Sequence, residues 1–305
     1  MREFIINSSV DKKELYCVDF NENLINPKCV LQICHGMAEH IKRYENFAKF
    51  LSLNGIRVFG MDNRGHGKTG EDDLHGHIDD ENGHLKLIED VFDLNQYIRE
   101  MFPDKKIFIL GHSMGSIIVR NFLSKYSNEV DGAVICGTTG TYNFTHRVSL
   151  CLAKFLRLLG LKRKKSSFIN KLAFNSYNSR IEELKTPFDW LTRDDKEVEK
   201  YILDKYCGFS CTNSFFYDLI SLIKSMSQKE NISKIRKDLP VFFVAGKADP
   251  VGDYGKGVST SYRLYKEYGI KNCDLRLYDN MRHEILNEIG KEEVYGDILK
   301  FLNNN

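Results

Sequence analysis

The pentapeptide Gly111-His112-Ser113-Met114-Gly115 sets a serine between two glycines, after the apolar run KKIFILG and before the helix-like stretch SIIVRNFLSKY. A strand–turn–helix setting of this kind is a nucleophile elbow. The glycines allow a tight turn without Cβ clashes, so the hydroxyl projects from the sheet edge. The plainer alternative is a glycine-rich turn with a bystander serine. A serine hydroxyl attacks only when a base takes its proton, and the base needs an acid to orient it. Chains built on such an elbow supply them in the order serine, acid, histidine. The segment LPVFFVAGKADPVGD offers Asp249 where a buried strand ends; Asp253 competes for the role but lies further from the strand end. DNMRHEILNE offers His283, the only histidine after His146, in a loop just before a helix. Taken alone, Asp249 could cap a turn and His283 could be a surface histidine.

Acyl chemistry also needs N–H donors for a developing oxyanion. They come from the residue after the nucleophile and from the loop after the third strand. Here these are Met114 and, within His35-Gly36-Met37-Ala38, Met37. Glu39, His40 and Arg43 follow that loop. They could meet the polar head of a substrate, but an internal ion pair that fixes the loop is the preferred reading. His112 reads as structural, and the histidines at 66, 75, 77 and 84 read as loop residues, because they lack metal-ligand spacing with paired carboxylates.

Apolar runs at Glu3–Asn7, Leu15–Phe20, Val30–His35, Arg57–Met61, Lys106–Gly111, Gly132–Cys136, Leu239–Ala245 and Asp274–Tyr278 read as eight strands. The first two form an antiparallel hairpin. The rest alternate with helix-like segments at Tyr44–Asn54, His84–Phe102, Gly115–Tyr126, Ser259–Tyr268 and Glu292–Leu302, which predicts a mostly parallel sheet flanked by helices. No strand-like run occurs between Thr141 and about Asp238. The text there is helical and often basic, so residues 141–238 read as a helical cap inserted into a core made of 1–140 and 239–305.

The 305-residue chain is long enough to bury roughly 75% of its unfolded surface. Its 44 Lys and Arg against 42 Asp and Glu give a net charge of +2, so no strong field draws it to nucleic acid. With 42% hydrophobic residues and five prolines it is neither disordered nor collagen-like. None of the eight cysteines forms a C-x-x-C pair. Cys207 and Cys211, four apart, would suit a metal or a disulfide, but no second ligand pair accompanies them. The first residues, MREFIINSSVDKKE, hold no apolar signal core, and no apolar stretch reaches the roughly 18 residues of a spanning helix. The expected setting is a reducing cytoplasm.

The blocks HGMAEHIKRY (35–44), MDNRGHGKTG (61–70), GHSMGS (111–116), AGKADPVG (245–252) and MRHEILNE (281–288) resemble the monoacylglycerol lipase and lysophospholipase branch of the α/β-hydrolases, the serine aminopeptidase S33-like enzymes. The resemblance covers the core from about residue 3 to 302, with the blocks in the family's order. It implies Ser113 as nucleophile, Asp249 as acid, His283 as base, Met37 and Met114 as oxyanion donors, no cofactor, and a fatty-acyl ester of glycerol or glycerophospholipid as substrate. Ser116 departs from the pattern, since many members carry a second glycine there. The same triad would serve a thioesterase, a feruloyl or aryl esterase or an aminopeptidase; a non-catalytic binder on this scaffold fits a complete triad poorly. Ser113 speaks against epoxide hydrolases and dehalogenases, which attack with a carboxylate.

The cap is the divergent part. Val148, Leu152, Phe155 and Leu159 recur at helical spacing, and Lys162–Lys165 are four basic residues in a row. The favoured reading packs the apolar side over the active site, with Leu152 and Phe155 lining an acyl channel or packing the cap. A basic helix with an apolar face could also touch an anionic membrane surface transiently.

Overall fold

A computed structural model describes residues 1–71, 73–165 and 176–305. Eight strands form one sheet: β1 (Arg2–Asn7), β2 (Glu14–Asp19), β3 (Cys29–Cys34), β4 (Ile56–Met61), β5 (Ile107–His112), β6 (Gly132–Cys136), β7 (Val241–Gly246) and β8 (Cys273–Tyr278). They lie in the order β1-β2-β4-β3-β5-β6-β7-β8. β1 and β2 pair antiparallel, as do β2 and β4, and every other neighbour is parallel. Strands β3 to β7 are buried along their whole length. Parallel strands covered on both faces read as unbroken apolar runs, which is why the sequence announces them.

Two layers of helix cover the sheet. Helices α1 (Glu45–Leu53) and α9 (Lys291–Asn304) pack Phe47, Leu51, Val294, Ile298 and Leu302 on one face. On the other face lie α2 (Gly83–Met101), α3 (Met114–Tyr126) and α8 (Lys256–Glu267), with Leu87, Leu94, Ile118, Phe122 and Val258 inside. Crossover connections of this kind are what hold parallel neighbours together.

Between β6 and β7 the described residues form α4 (Phe144–Leu158), α5 (Asp195–Leu203), α6 (Asn213–Met226) and the short α7 (Lys229–Ser233). The only strand-like feature among them is an isolated bridge from Lys165 to Thr212. The helical expectation for the stretch SFINKLAFNSY falls largely on residues 166–175, outside those described. The inserted helices share the main core: Phe215, Leu222 and Met226 of α6 lie in the same apolar cluster as α2 and α3. The limits at 141 and 238 therefore mark connectivity, not a separate core.

The inward-facing reading of α4 needs correction. Ala153 is its only fully buried residue, and Leu152 packs partly on the core. Val148, Phe155 and Leu159 are more than half exposed, as are Phe144 and Leu158. Helical spacing identifies the stripe but cannot say that its outer half is more than half exposed.

Glycine is required where elements meet most closely. A Cβ on Gly115 would lie 2.0 Å from the Cys34 carbonyl oxygen, backbone against backbone. Gly296 in α9 has open space around it. Gly115→Ala should therefore lower stability by about 3 kcal/mol or more, whereas Gly296→Ala should raise it by about 0.5–1 kcal/mol by restricting the unfolded chain. Urea-unfolding midpoints of the two variants test the pair of signs.

Candidate active site

Strand β5 delivers Ser113 to the sheet's C-terminal edge in a strained conformation, with φ 53° and ψ −119°. A non-glycine residue at positive φ costs on the order of 1–3 kcal/mol and persists only when its surroundings fix it. Its surroundings do so. The Ser113 N–H donates to the Cys136 carbonyl at 3.0 Å, and Gly111 and Gly115 close the turn where side chains would collide. The departure at Ser116 is put to use: its buried hydroxyl donates to the Ser113 carbonyl at 2.5 Å. Ser113 is also the N-cap of α3, so positive helix-end potential surrounds its hydroxyl.

The structure brings Asp249 and His283 together. His283 Nδ1 and Asp249 Oδ2 are 3.0 Å apart; the histidine is 2% exposed and the aspartate fully buried. A second Asp249 oxygen accepts the Val251 N–H at 2.8 Å, which fixes the carboxylate plane. Asp253 instead sits at φ 48° in the following turn. The His283 ring has its centroid 4.8 Å from that of His112 and 5.1 Å from that of Trp190. Sequence reasoning did not pick out Trp190 as a site residue; its one signal was being the chain's single tryptophan.

The loop after β3 approaches from the other side. A Cβ on Gly36 would stand 3.1 Å from Ser113 Cβ. Burial pushes His35 down to about 4, so its ring is neutral. His35 Nε2 accepts from the Asn63 N–H at 2.9 Å, leaving Nδ1–H to donate to the Gly36 carbonyl at 2.8 Å. Ala38 takes a positive φ of 52°. Among the described residues, neither the Met37 nor the Met114 N–H has an acceptor. Two free donors beside a nucleophile-like serine can stabilise an oxyanion.

Glu39, Arg43 and Tyr44 turn inward. Arg43 grips Glu284 through two bonds of 2.6 and 2.7 Å and reaches Glu39 at 2.9 Å. One Glu39 oxygen accepts from the Gly36 N–H at 2.6 Å and the Tyr44 hydroxyl at 2.9 Å, and meets His112 Nδ1 at 3.3 Å. Burial works against the charge on Glu39, yet the His112 hydrogen bond and the Arg43 charge hold its carboxyl well below the usual range. Glu284 is likewise lowered against burial, chiefly by Arg43. The internal ion pair expected for Glu39 and Arg43 is present, with Glu284 as a third member. His40 turns away toward Asp204 at 2.9 Å.

Residues 189–208 of the insertion bind these loops from above. The Tyr201 hydroxyl donates to the Ala38 carbonyl at 2.9 Å, and the Gly208 N–H to the same oxygen at 3.0 Å. The Glu284 N–H donates to the Leu191 carbonyl at 2.7 Å. Beside the acid and histidine loops lies a cavity of about 500 Å³, lined by Tyr177 and Trp190 and by the cations Arg180, Arg193, Lys247 and Arg282. Neither Leu152 nor Phe155 lines it. The histidines at 66 and 84 are held by internal bonds, to the Arg64 carbonyl at 2.9 Å and to Asp218 at 2.8 Å.

Removing Arg43 strands two buried carboxylates. Arg43→Met should cost about 3–5 kcal/mol of stability in urea unfolding at neutral pH. In the parent protein the lowered carboxyls stabilise the fold above their ordinary value of 4.5, and that stability is lost as pH falls below it. The variant's carboxyls bind protons more readily, so its deficit should shrink on acidification. A deficit under about 1 kcal/mol, or one that grows in acid, would contradict the cluster's role.

The sequence matches known proteins along most of its length. The family described as serine aminopeptidase, S33 matches residues 25–290. Human monoglyceride lipase is 33% identical over 273 residues, covering 86% of this chain and 78% of its own. The monoacylglycerol lipase of Mycolicibacterium smegmatis is 27% identical over 278 residues, covering 91% and 89%. A crystal structure of a thermostable carboxyl esterase from Bacillus coagulans in complex with glycerol matches with a TM-score of 0.90 at 27% identity, over 99% of this chain and 98% of that one. With its profile matched across most of the sequence and the eight-stranded fold in common, this chain belongs to the serine aminopeptidase S33 family of α/β-hydrolases.

Proposed function

We propose that the protein hydrolyses carboxylic esters, with monoacylglycerols as the principal substrates, through an acyl-enzyme on Ser113. The observation that carries this reading is the buried Asp249–His283 pair set on the same sheet edge as a strained elbow serine. His283 takes the Ser113 proton as the oxygen attacks the ester carbonyl. Asp249 holds the imidazole with Nδ1–H toward itself and stabilises the imidazolium. The Met37 and Met114 N–H groups receive the oxyanion, and collapse of the intermediate sends the proton from His283 to the leaving alcohol. Water then cleaves the acyl-enzyme by the same route. The glyceride preference is supported by the names of the human and mycobacterial relatives and by the glycerol-bound esterase.

A lysophospholipid substrate is the second reading, favoured by the basic side chains lining the cavity beside Trp190, which suit a phosphate-bearing head group. The exposed apolar ridge of α4, Phe144, Val148, Phe155, Leu158 and Leu159, supports transient contact with a lipid surface. The adjoining basic run contributes less charge than its sequence suggests, since Lys162 pairs with Glu81 and Arg163 with Asp80. Among the described residues no helix is long and apolar enough to cross a membrane. The eight cysteines are all free, which supports a reducing compartment.

Ser113→Ala should reduce kcat on monooleoylglycerol by about ten-thousand-fold or more while the protein stays folded. Asp249→Asn should lose a comparable factor and Asp253→Asn little; a dead Asp253 variant beside an active Asp249 variant would reverse the assignment.

Each buried methylene of an acyl chain is worth about 0.8 kcal/mol, roughly fourfold in binding. Across soluble monoacylglycerols kcat/KM should climb with chain length and then level off. On vesicle-borne substrate Phe155→Ser with Leu158→Ser should slow turnover and leave short soluble esters unaffected. Assayed in parallel, lysophospholipids turned over faster than glycerides would install the second reading. A steady decline from acetate esters upward would remove both lipid readings.

A further inference from the structure

Cys207 and Cys211 are four apart in sequence, but the fold separates their surroundings. Cys211 is fully buried against Gly76. Cys207 instead faces two residues of different origin. His40, Asp204 and Cys207 each offer a ligand atom, and those atoms all lie within 4.8 Å of one another. His40 comes from the loop that carries Met37, while Asp204, 164 residues away in sequence, and Cys207 come from the turn after α5. Imidazole, carboxylate and thiolate together make a borderline-soft donor set that suits zinc.

We propose that this trio is a zinc site that pins the insertion to the loop after β3. Tetrahedral zinc would take His40, Asp204 and Cys207, with water in the fourth position. The ligands need only small shifts, with His40 and Asp204, now 2.9 Å apart, parting slightly to admit the ion. Their segments are already held in register by the Gly208 N–H and the Tyr201 hydroxyl, both on the Ala38 carbonyl. The Asp204 oxygen that does not meet His40 accepts the Tyr206 N–H at 2.8 Å, which orients the carboxylate from behind. Arg43 lies close enough to act on Asp204 and Cys207, but its charge is spent on Glu39 and Glu284.

Binding exchanges protons for metal. The Cys207 S–H bond breaks, its proton goes to solvent, and the thiolate pair forms the Zn–S bond. The His40–Asp204 hydrogen bond gives way to Zn–N and Zn–O bonds, with His40 neutral and its remaining proton on the other ring nitrogen. No electrons are transferred. Because the thiol must lose its proton to bind, affinity should rise with pH.

The test uses the full chain stripped with chelator. Zinc titrated by equilibrium dialysis should bind one ion per chain and raise the melting temperature. Cobalt substitution should give a thiolate-to-metal charge-transfer band. Cys207→Ser and His40→Gln should each weaken zinc by at least about tenfold, the least that loss of even an outer partner costs a metal site, and Cys207→Ser should abolish the band. Both variants should melt as the parent does in chelator, which separates loss of the site from loss of the fold. His283→Gln should bind zinc normally, which excludes capture by the Asp249–His283 pair. Zinc held equally by Cys207→Ser, or no cobalt–thiolate band in the parent, would overturn the site.

Discussion

The geometry of the site depends on one buried cation. Arg43 lies between Glu39 and Glu284 with its side chain only 10% exposed, and each carboxylate belongs to a different loop. Through Glu39 the cluster holds the Gly36 N–H and the His112 ring; through Glu284 it holds the residue after His283. Three segments remote in sequence are thus tied at one point: the loop after β3, the elbow and the histidine loop. A buried ion pair is a poor source of net stability, because desolvation offsets most of the attraction. Its value here is positional. Removing either partner leaves an unpaired charge in a water-free place, so alternative arrangements of the loops are strongly disfavoured.

The insertion completes this arrangement rather than sitting apart from it. Its segment 189–208 puts Trp190 on the His283 ring and two donors on the Ala38 carbonyl. His283 is therefore held by Asp249 at one ring nitrogen and by two tilted aromatic neighbours. The same insertion exposes α4's outer apolar residues to solvent. It thus has an inner side packed on the His283 loop and the loop after β3, and an outer side of exposed apolar residues.

Much of this was legible in the sequence, for physical reasons that differ by element. The buried strands β3 to β7 are continuous apolar runs, and they and the three outer strands are legible in the sequence to within a few residues. The elbow was legible because its glycines are demanded by backbone contacts, such as Gly115 against Cys34. Asp249 and His283 followed from chain order, and the structure places them 3.0 Å apart. Glu284 as the second partner of Arg43 was not legible: the two are 241 positions apart, and nothing local distinguishes Glu284 from a surface glutamate. Trp190 was hidden likewise, since its contact with His283 is purely tertiary. The stripe Val148, Leu152, Phe155 and Leu159 was found, but its direction was misread, because periodicity defines a face without defining what covers it.

The most direct test of the proposed chemistry is where a covalent inhibitor lands. The protein, treated with a long-chain fluorophosphonate, digested and mapped by mass spectrometry, should carry a single adduct on Ser113 in the peptide containing Gly111-His112-Ser113-Met114-Gly115. Prior addition of a monoacylglycerol should slow its formation. An adduct on another residue, or an unmodified Ser113 in folded protein, would contradict the account.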